Sequence, residues 1–267
     1  MLKKTKFISM LLCCSLLLVG CGKSSDGNDA TGDNEKKAPV ELNISAAASL
    51  KEVMADLETE YKKNNENVTL VVNYGSSGSL QQQIEQGAPC DIFISAGKKQ
   101  MTALADKDLL EADTNKDLVK NRLVLVSTDN TTVTSLDDLT TDKVKQIAVG
   151  EPSSVPAGKY ADEVLENLGI KSEVESKLVF AKDVKEVLAW STSENADVGF
   201  VYLSDALSNN SAKIIETISE DLHSPITYPV AVIKDSKNVD AAKAFEDFLF
   251  TDEAQQVFEK YGYNKVQ

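Results

Sequence analysis

The 267-residue chain has a single histidine, His223, and no G-x-S-x-G turn. A serine hydrolase needs a histidine base beside a nucleophile held on such an elbow, and "DLHSP" around His223 supplies no such setting. Hydrolysis is therefore set aside, and His223 is expected at the surface. Thiols are scarce as well, being confined to Cys13, Cys14, Cys21 and Cys90. Three of them fall within the first 21 residues, so Cys90 has no partner for an internal disulfide. Because "CDIFIS" reads as a strand, Cys90 is expected to be a small buried apolar residue without a function. Positive charge is also in deficit, with 28 Lys+Arg against 42 Asp+Glu and a formal net charge of −14. Nucleic acid is gripped by a basic surface that displaces phosphate counterions, so this balance excludes it as a partner.

Large apolar side chains are missing altogether from residues 22–39, "GKSSDGNDATGDNEKKAP". Such a stretch cannot pack and is expected to be a flexible tether. Before it, Lys3, Lys4 and Lys6 precede an apolar run from Phe7 to Val19, the layout of a secretory signal peptide over residues 1–20. The run is short for a membrane span. It closes in Leu18-Val19-Gly20-Cys21, which resembles the lipobox of bacterial lipoproteins, and that resemblance implies cleavage before Cys21 and acylation of its sulfur. Loss of the leader removes three lysines and no acid, so the mature chain would carry −17.

From residue 40 onward short apolar runs alternate with amphipathic segments. Strands are expected over 41–46, 68–73, 91–95, 122–127, 146–150, 178–181, 198–202 and 228–233. Leu50, Val53, Met54, Leu57 and Tyr61 repeat at helical spacing. A second stripe runs through Tyr160, Val164, Leu165 and Leu168 and is closed by Gly169 as a C-cap, and a third helix carries Ala244, Phe245, Phe248 and Leu249. This alternation predicts an α/β fold with largely parallel sheets, whose ligands gather at the carboxyl ends of strands where the next helices start.

Four such starts stand out. In "SAAASLKEV", Ser49 and Glu52 fit the S-x-x-E capping box, with Ser49 as N-cap behind three alanines. "YGSSGSL" brings Ser76, Ser77 and Ser79 to the next start. "VPAGKYADEVL" puts Pro156 at the first turn with bare backbone at Ala157 and Gly158, and Asp183 with Glu186 forms a capping box around Val184. Any one of these is ordinary helix chemistry. Together they offer unpaired N–H groups at the positive ends of helices, which hold a small oxyanion without Arg or Lys. Tyr202, closing "VGFVY", could add a phenol or could be a core tyrosine. The acidic composition also invites a polyamine or metal-cation binder, but Asp183 is the one carboxylate among these residues, and capping is its better role.

At this point the chain resembles a family. "AAASL", "SSGSLQQQIEQGAPCDIFISA", "VGEPSSVPAGKYA", "GFVYLSDA", "YPVAV" and "FEKYGY" are similar, in this order, to motifs of the periplasmic molybdate/tungstate-binding proteins of ABC transporters. The resemblance spans residue 41 to the C-terminus and implies the type II periplasmic-binding-protein fold. Two lobes are joined by two crossovers and the ligand lies in the cleft between them. It places lobe 1 at 40–121 plus 229–267, lobe 2 at 122–228, and the crossings near Asn121 and Tyr228. Carried over by position, Ser49 and Ser77 would donate hydroxyl and backbone hydrogens, Ala157 and Val184 backbone N–H, and Tyr202 its phenol. No side chain would ligate the metal directly; it would be held as its oxyanion, with no cofactor. Gly78 departs from a motif usually richer in Ser and Thr, and little effect is expected because Gly78 is not among the carried-over ligands. The resemblance further implies a monomeric carrier, not an enzyme. Anchored to the outer face of the cell membrane through Cys21 alone, it would deliver molybdate or tungstate to an ABC transporter permease. A sulfate/thiosulfate carrier of the same fold is the alternative.

Overall fold

The computed structural model describes residues 38–266. The leader, Cys21 and most of the tether lie outside the described residues, together with the expectations placed on them.

In chain order the elements are β1 (Val40–Ala47), α1 (Lys51–Lys62), β2 (Val68–Gly75), α2 (Ser77–Glu85), β3 (Ile92–Ile94), α3 (Lys98–Asp106) and β4 (Lys116–Lys120). There follow β5 (Leu123–Ser127), β6 (Ile147–Gly150), α4 (Pro156–Asn167), α5 (Lys171–Val174), β7 (Leu178–Ala181), α6 (Val184–Thr192), β8 (Val198–Tyr202), α7 (Leu203–Leu207) and β9 (Lys213–Thr217). Then come β10 (Thr227–Val232), α8 (Val239–Leu249), α9 (Asp252–Lys260) and β11 (Asn264–Lys265).

The strands form two sheets, ordered β11-β4-β10-β3-β1-β2 and β7-β6-β8-β5-β9. Each has a parallel block, β2-β1-β3 in the first and β7-β6-β8 in the second. The remaining pairings are antiparallel. The sheets are thus mixed and not largely parallel as the alternation predicts. The antiparallel halves join the expected strands β5 and β10 to β4, β9 and β11, whose sequences KDLVK, KIIET and NK carry too much charge to read as strands.

Two of the three expected stripes are largely buried, while in the third Phe245 and Leu249 are buried, Phe248 is partly buried and Ala244 is exposed. Leu50, Val53, Met54, Leu57 and Tyr61 are all buried, and so are Tyr160, Val164 and Leu165. Leu168 lies at the end of α4 and stays exposed. Gly169 adopts φ +72 there, and Ile170 N–H donates to the Leu165 carbonyl at 3.1 Å, closing the helix in a Schellman turn.

The chain passes from the first sheet to the second between β4 and β5 and returns at β10. The two crossings are tied together: Asn121 N–H donates to the Ile226 carbonyl at 3.1 Å, and Thr227 pairs with Lys120. In β10, Pro229 has no N–H for the ladder, and the register with β4 shifts between Tyr228 and Pro229.

Candidate functional site: a neutral cleft between the sheets

The carboxyl ends of all six parallel strands converge on one small cavity. After β1 it is lined by Ala47, Ala48 and Ser49, after β2 by Gly75, Ser76 and Ser77, and after β3 by Ala96. From the second sheet come Val155, Pro156 and Ala157 after β6, Val184 after β7, and Tyr202 at the end of β8. All five residues carried over by resemblance are therefore brought together, and no lining residue bears a formal charge. A larger depression, with about 830 Å³ of empty space around Thr128, Asn130, Lys143 and Glu194, gathers residues of the second sheet alone and none of these five.

Each helix start leaves donors toward the cavity for a local reason. In α2, Ser76 is the N-cap and accepts from Ser79 N–H at 3.3 Å. The next residue, Ser77, turns its hydroxyl inward, where Oγ accepts from Ala96 N–H at 2.9 Å and keeps its own proton to donate. The N-cap of α4 is Val155, which has no side-chain acceptor, and Pro156 has no N–H, so Ala157 carries the first N–H of that helix. Gly158 makes this possible: a Cβ there would lie 1.9 Å from the Gly150 carbonyl oxygen, so only glycine lets the helix sit so closely on the end of β6. In α6, Asp183 caps Glu186 N–H at 2.9 Å and Glu186 returns a bond from Lys182 N–H, leaving Val184 N–H out of the capping exchange.

Ser49 does not cap α1. A 3₁₀ turn over Ala48–Leu50 intervenes, the N-cap position falls on Leu50, and no side-chain cap is made. The hydroxyl of Ser49 turns inward instead and meets the Tyr228 hydroxyl at 2.8 Å, while the Ser49 carbonyl accepts from the Tyr263 hydroxyl at 2.9 Å. Glu52, the other half of the expected capping box, reaches across the cleft to Lys185 Nζ at 2.5 Å. Tyr202, Tyr228 and Tyr263 stack edge to face in a row, with neighbouring centroids 5.5–5.6 Å apart. Burial pushes all three phenols far above the ordinary tyrosine range, so they remain protonated donors.

Gly78 matters more than its absence from the ligand set suggests. Its N–H donates to the Ser154 carbonyl of the opposite wall at 2.9 Å. A Cβ at this position would lie 2.6 Å from Ser154 O and 2.7 Å from its Cα, so the departure from the Ser/Thr-rich motif sets how closely α2 approaches the segment before α4. His223 is likewise not at the surface: it is buried, its ring lies 5.9 Å from that of Tyr160, and Nδ1 donates to the Ser224 carbonyl at 2.8 Å. Cys90 is buried, with Sγ 3.2 Å from the Ile92 carbonyl oxygen. The partners that sequence reasoning missed are Tyr228, Tyr263, Asn121 and the Ala96 N–H. The first two stand in the "YPVAV" and "FEKYGY" motifs, which was the one available signal.

Two α/β sheets joined by paired crossings, with a cleft walled by strand ends of both, define the two-lobed architecture of periplasmic binding proteins. The chain belongs to the bacterial extracellular solute-binding proteins, the family it matches over residues 42–264. It is 40% identical over 265 residues to YvgL of Bacillus subtilis, whose provisional name is ABC transporter substrate-binding lipoprotein, with 98% of this chain and 99% of that one covered. It is 38% identical over 231 residues to the molybdate-binding protein ModA of Escherichia coli, covering 83% of this chain and 88% of that protein. Among solved structures, the substrate-binding domain of a provisionally assigned molybdenum ABC transporter from Clostridium difficile is 67% identical. It superposes with a TM-score of 0.68 over 85% of this chain and 100% of its own.

Proposed function

We propose that the protein captures molybdate or tungstate in the inter-lobe cavity and hands it to the permease of an ABC importer, while a lipid on Cys21 holds it to the outer face of the cell membrane. One observation carries this reading. A charge-free convergence of helix N-termini, serine hydroxyls and a tyrosine phenol lies where the two sheets face each other. The relatives named for molybdate binding support the cargo.

In this reading Ser49 and Ser77 belong to lobe 1, residues 40–121 with 229–267, and Ala157, Val184 and Tyr202 belong to lobe 2, residues 122–228. An anion obtains all its donors only when the lobes are shut, and that differential affinity drives closure. Hydrogen bonds to a charged partner contribute about 1.5–3 kcal/mol each, so five to seven supply on the order of 10 kcal/mol before desolvation and closure are subtracted. Micromolar to nanomolar binding needs roughly 8–12 kcal/mol. A wall rich in donors and free of carboxylates serves a fully deprotonated dianion. Hydrogen phosphate brings a proton that needs an acceptor and finds few.

The test is isothermal titration calorimetry with molybdate, tungstate, sulfate and phosphate in turn. Tight binding of the first two with weak sulfate binding is expected. Sulfate bound as tightly as molybdate would move the assignment to a sulfate carrier, and heat from none of the four would end the oxyanion reading.

A further inference from the structure

We infer that Tyr228 is a positioning residue for the anion site, donating its proton to Ser49 Oγ and thereby committing the Ser49 proton to the cavity. This rests on the oxyanion reading above. Tyr228 is not a wall of the cavity and would not touch the ligand; it acts through Ser49.

The direction of the chain follows from groups whose roles are not free. Asn121 Oδ1 lies 2.8 Å from Arg122 N–H, which can only donate, so Nδ2 of the same amide is the end that faces inward. Its two hydrogens meet two oxygens, Ser204 Oγ at 2.9 Å and the Tyr228 hydroxyl at 3.4 Å. With a donor already directed at its oxygen, the Tyr228 hydroxyl has two hydroxyl neighbours for its own proton, the Tyr202 phenol and Ser49 Oγ, and the 2.8 Å contact to Ser49 Oγ is the one that takes it. Ser49 Oγ is then supplied with a donor and has its own proton left for the anion. Ser77 reaches the same state by a different route, because its Oγ accepts from Ala96 N–H. Each serine of the pocket thus has one acceptor position filled by a protein donor. Tyr228 is fully buried, which keeps its phenol protonated and its orientation fixed by neighbours rather than by solvent.

The chain also ties the site to the crossings. Asn121 stands at the first and Tyr228 at the second, and the Asn121 amide divides its donors between Ser204, which follows the second sheet's β8, and Tyr228 of the first sheet. The register shift at Pro229 lies beside the residue that has to reach Ser49 from β10.

The experiment is a double-mutant cycle on the full chain in detergent, read by calorimetric titration with sodium molybdate. Tyr228→Phe removes one hydroxyl and keeps the ring, Ser49→Ala removes the group it serves, and the double variant closes the cycle. Tyr228→Phe is expected to weaken molybdate binding three- to tenfold in the parent and less than twofold in the Ser49→Ala background. An equal loss in both backgrounds, or no loss in the parent, overturns the inference while leaving the oxyanion reading intact. A parent chain that binds no molybdate overturns both. Should Tyr228→Phe not fold, Asn121→Ala tests the same chain from its other end: a loss of affinity confined to the chain with Ser49 intact supports it, and an equal loss with and without Ser49 overturns it.

Discussion

Replacing Gly78 by alanine separates the stability of a lobe from its ability to close. Gly78 is the second residue of α2, and an alanine in a helix is favoured over glycine by about 0.5–1 kcal/mol. On its own lobe the substitution should therefore be neutral or mildly stabilising. Across the cleft the new methyl meets backbone, at 2.6 Å from Ser154 O and 2.7 Å from Ser154 Cα, and no flexible side chain is there to yield. The walls must part by several tenths of an ångström, which also stretches the 2.9 Å bond from Gly78 N–H to Ser154 O. Overpacking of this kind costs about 1–3 kcal/mol, and since it falls on the closed form alone it should appear as roughly 5- to 150-fold weaker anion binding. Calorimetric titration with molybdate, set beside thermal melting of the ligand-free protein, reads the two effects separately. Affinity unchanged within twofold would refute the argument, because it would mean that the anion is held without this approach of the walls. A lower melting temperature in the ligand-free state would refute it differently, by placing the damage inside α2.

Three further outcomes follow from the same geometry. Ser49→Ala and Ser77→Ala should each weaken molybdate binding tenfold or more with the fold intact by circular dichroism, and Tyr202→Phe should weaken it less; unchanged affinity in both serine variants would remove them from the site. Glu246 is buried on α8, and burial raises its carboxyl to about 6, with Lys116 at 3.4 Å opposing the rise only in part. A raised carboxyl favours the folded state while protonated, so its contribution is present below pH 4.5 and is lost as pH climbs through 6. Glu246→Gln should therefore gain about 2 kcal/mol over the parent at pH 7 by urea unfolding and nothing at pH 4, and a constant difference across that range would dismiss the carboxyl as its source. Glu52 and Lys185 meet across the cleft at 2.5 Å, both partly exposed. A cycle of Glu52→Gln and Lys185→Gln should return a coupling of about 0.5–1 kcal/mol in molybdate binding, and zero coupling would show that the pair is indifferent to closure.

How far the sequence reaches is visible in which residues it identifies. The eight strands it predicts are apolar runs, and all eight appear within two residues of their expected ends. The polar strands β4, β9 and β11 gain their pairing from neighbours far along the chain and carry no local signal. The site divides in the same way. Helix starts are local chemistry, so the stretches around Ser77, Ala157 and Val184 can be read from a few residues each. Ser49 lines the cavity without being the N-cap its sequence suggests, since nothing in "SAAASLKEV" announces a 3₁₀ turn before α1. What sets the direction of its hydroxyl lies 179 residues away at Tyr228, and what holds its carbonyl lies 214 residues away at Tyr263. Contacts of that separation are made by the fold and leave no pattern in a window of sequence.

The charged residues nearest the pocket explain how so acidic a chain keeps the cavity between its sheets neutral. Ser49, Val184 and Tyr202 are followed within one to three positions by Glu52, Lys185 and Asp205. These three converge just outside the wall: Lys185 Nζ lies 2.8 Å from Asp205 of its own sheet's lobe and 2.5 Å from Glu52 of the other. Burial disfavours the Lys185 ammonium, but the two carboxylates outweigh it and hold its pKa above the usual lysine value. The cation is thereby occupied, and it offers the cavity no fixed point charge that would favour any anion of the right sign regardless of shape. Attraction is left to N–H and O–H dipoles, whose strength depends on direction and on distance. Those from Ser49 and Ser77 and those from Ala157, Val184 and Tyr202 sit on opposite walls, so their directions agree only when the walls meet. On the reading proposed above, a dianion in such a site is bound by closure itself, and the residues that set the approach of the walls, Gly78 and Glu52 among them, belong to its affinity as much as the donors do.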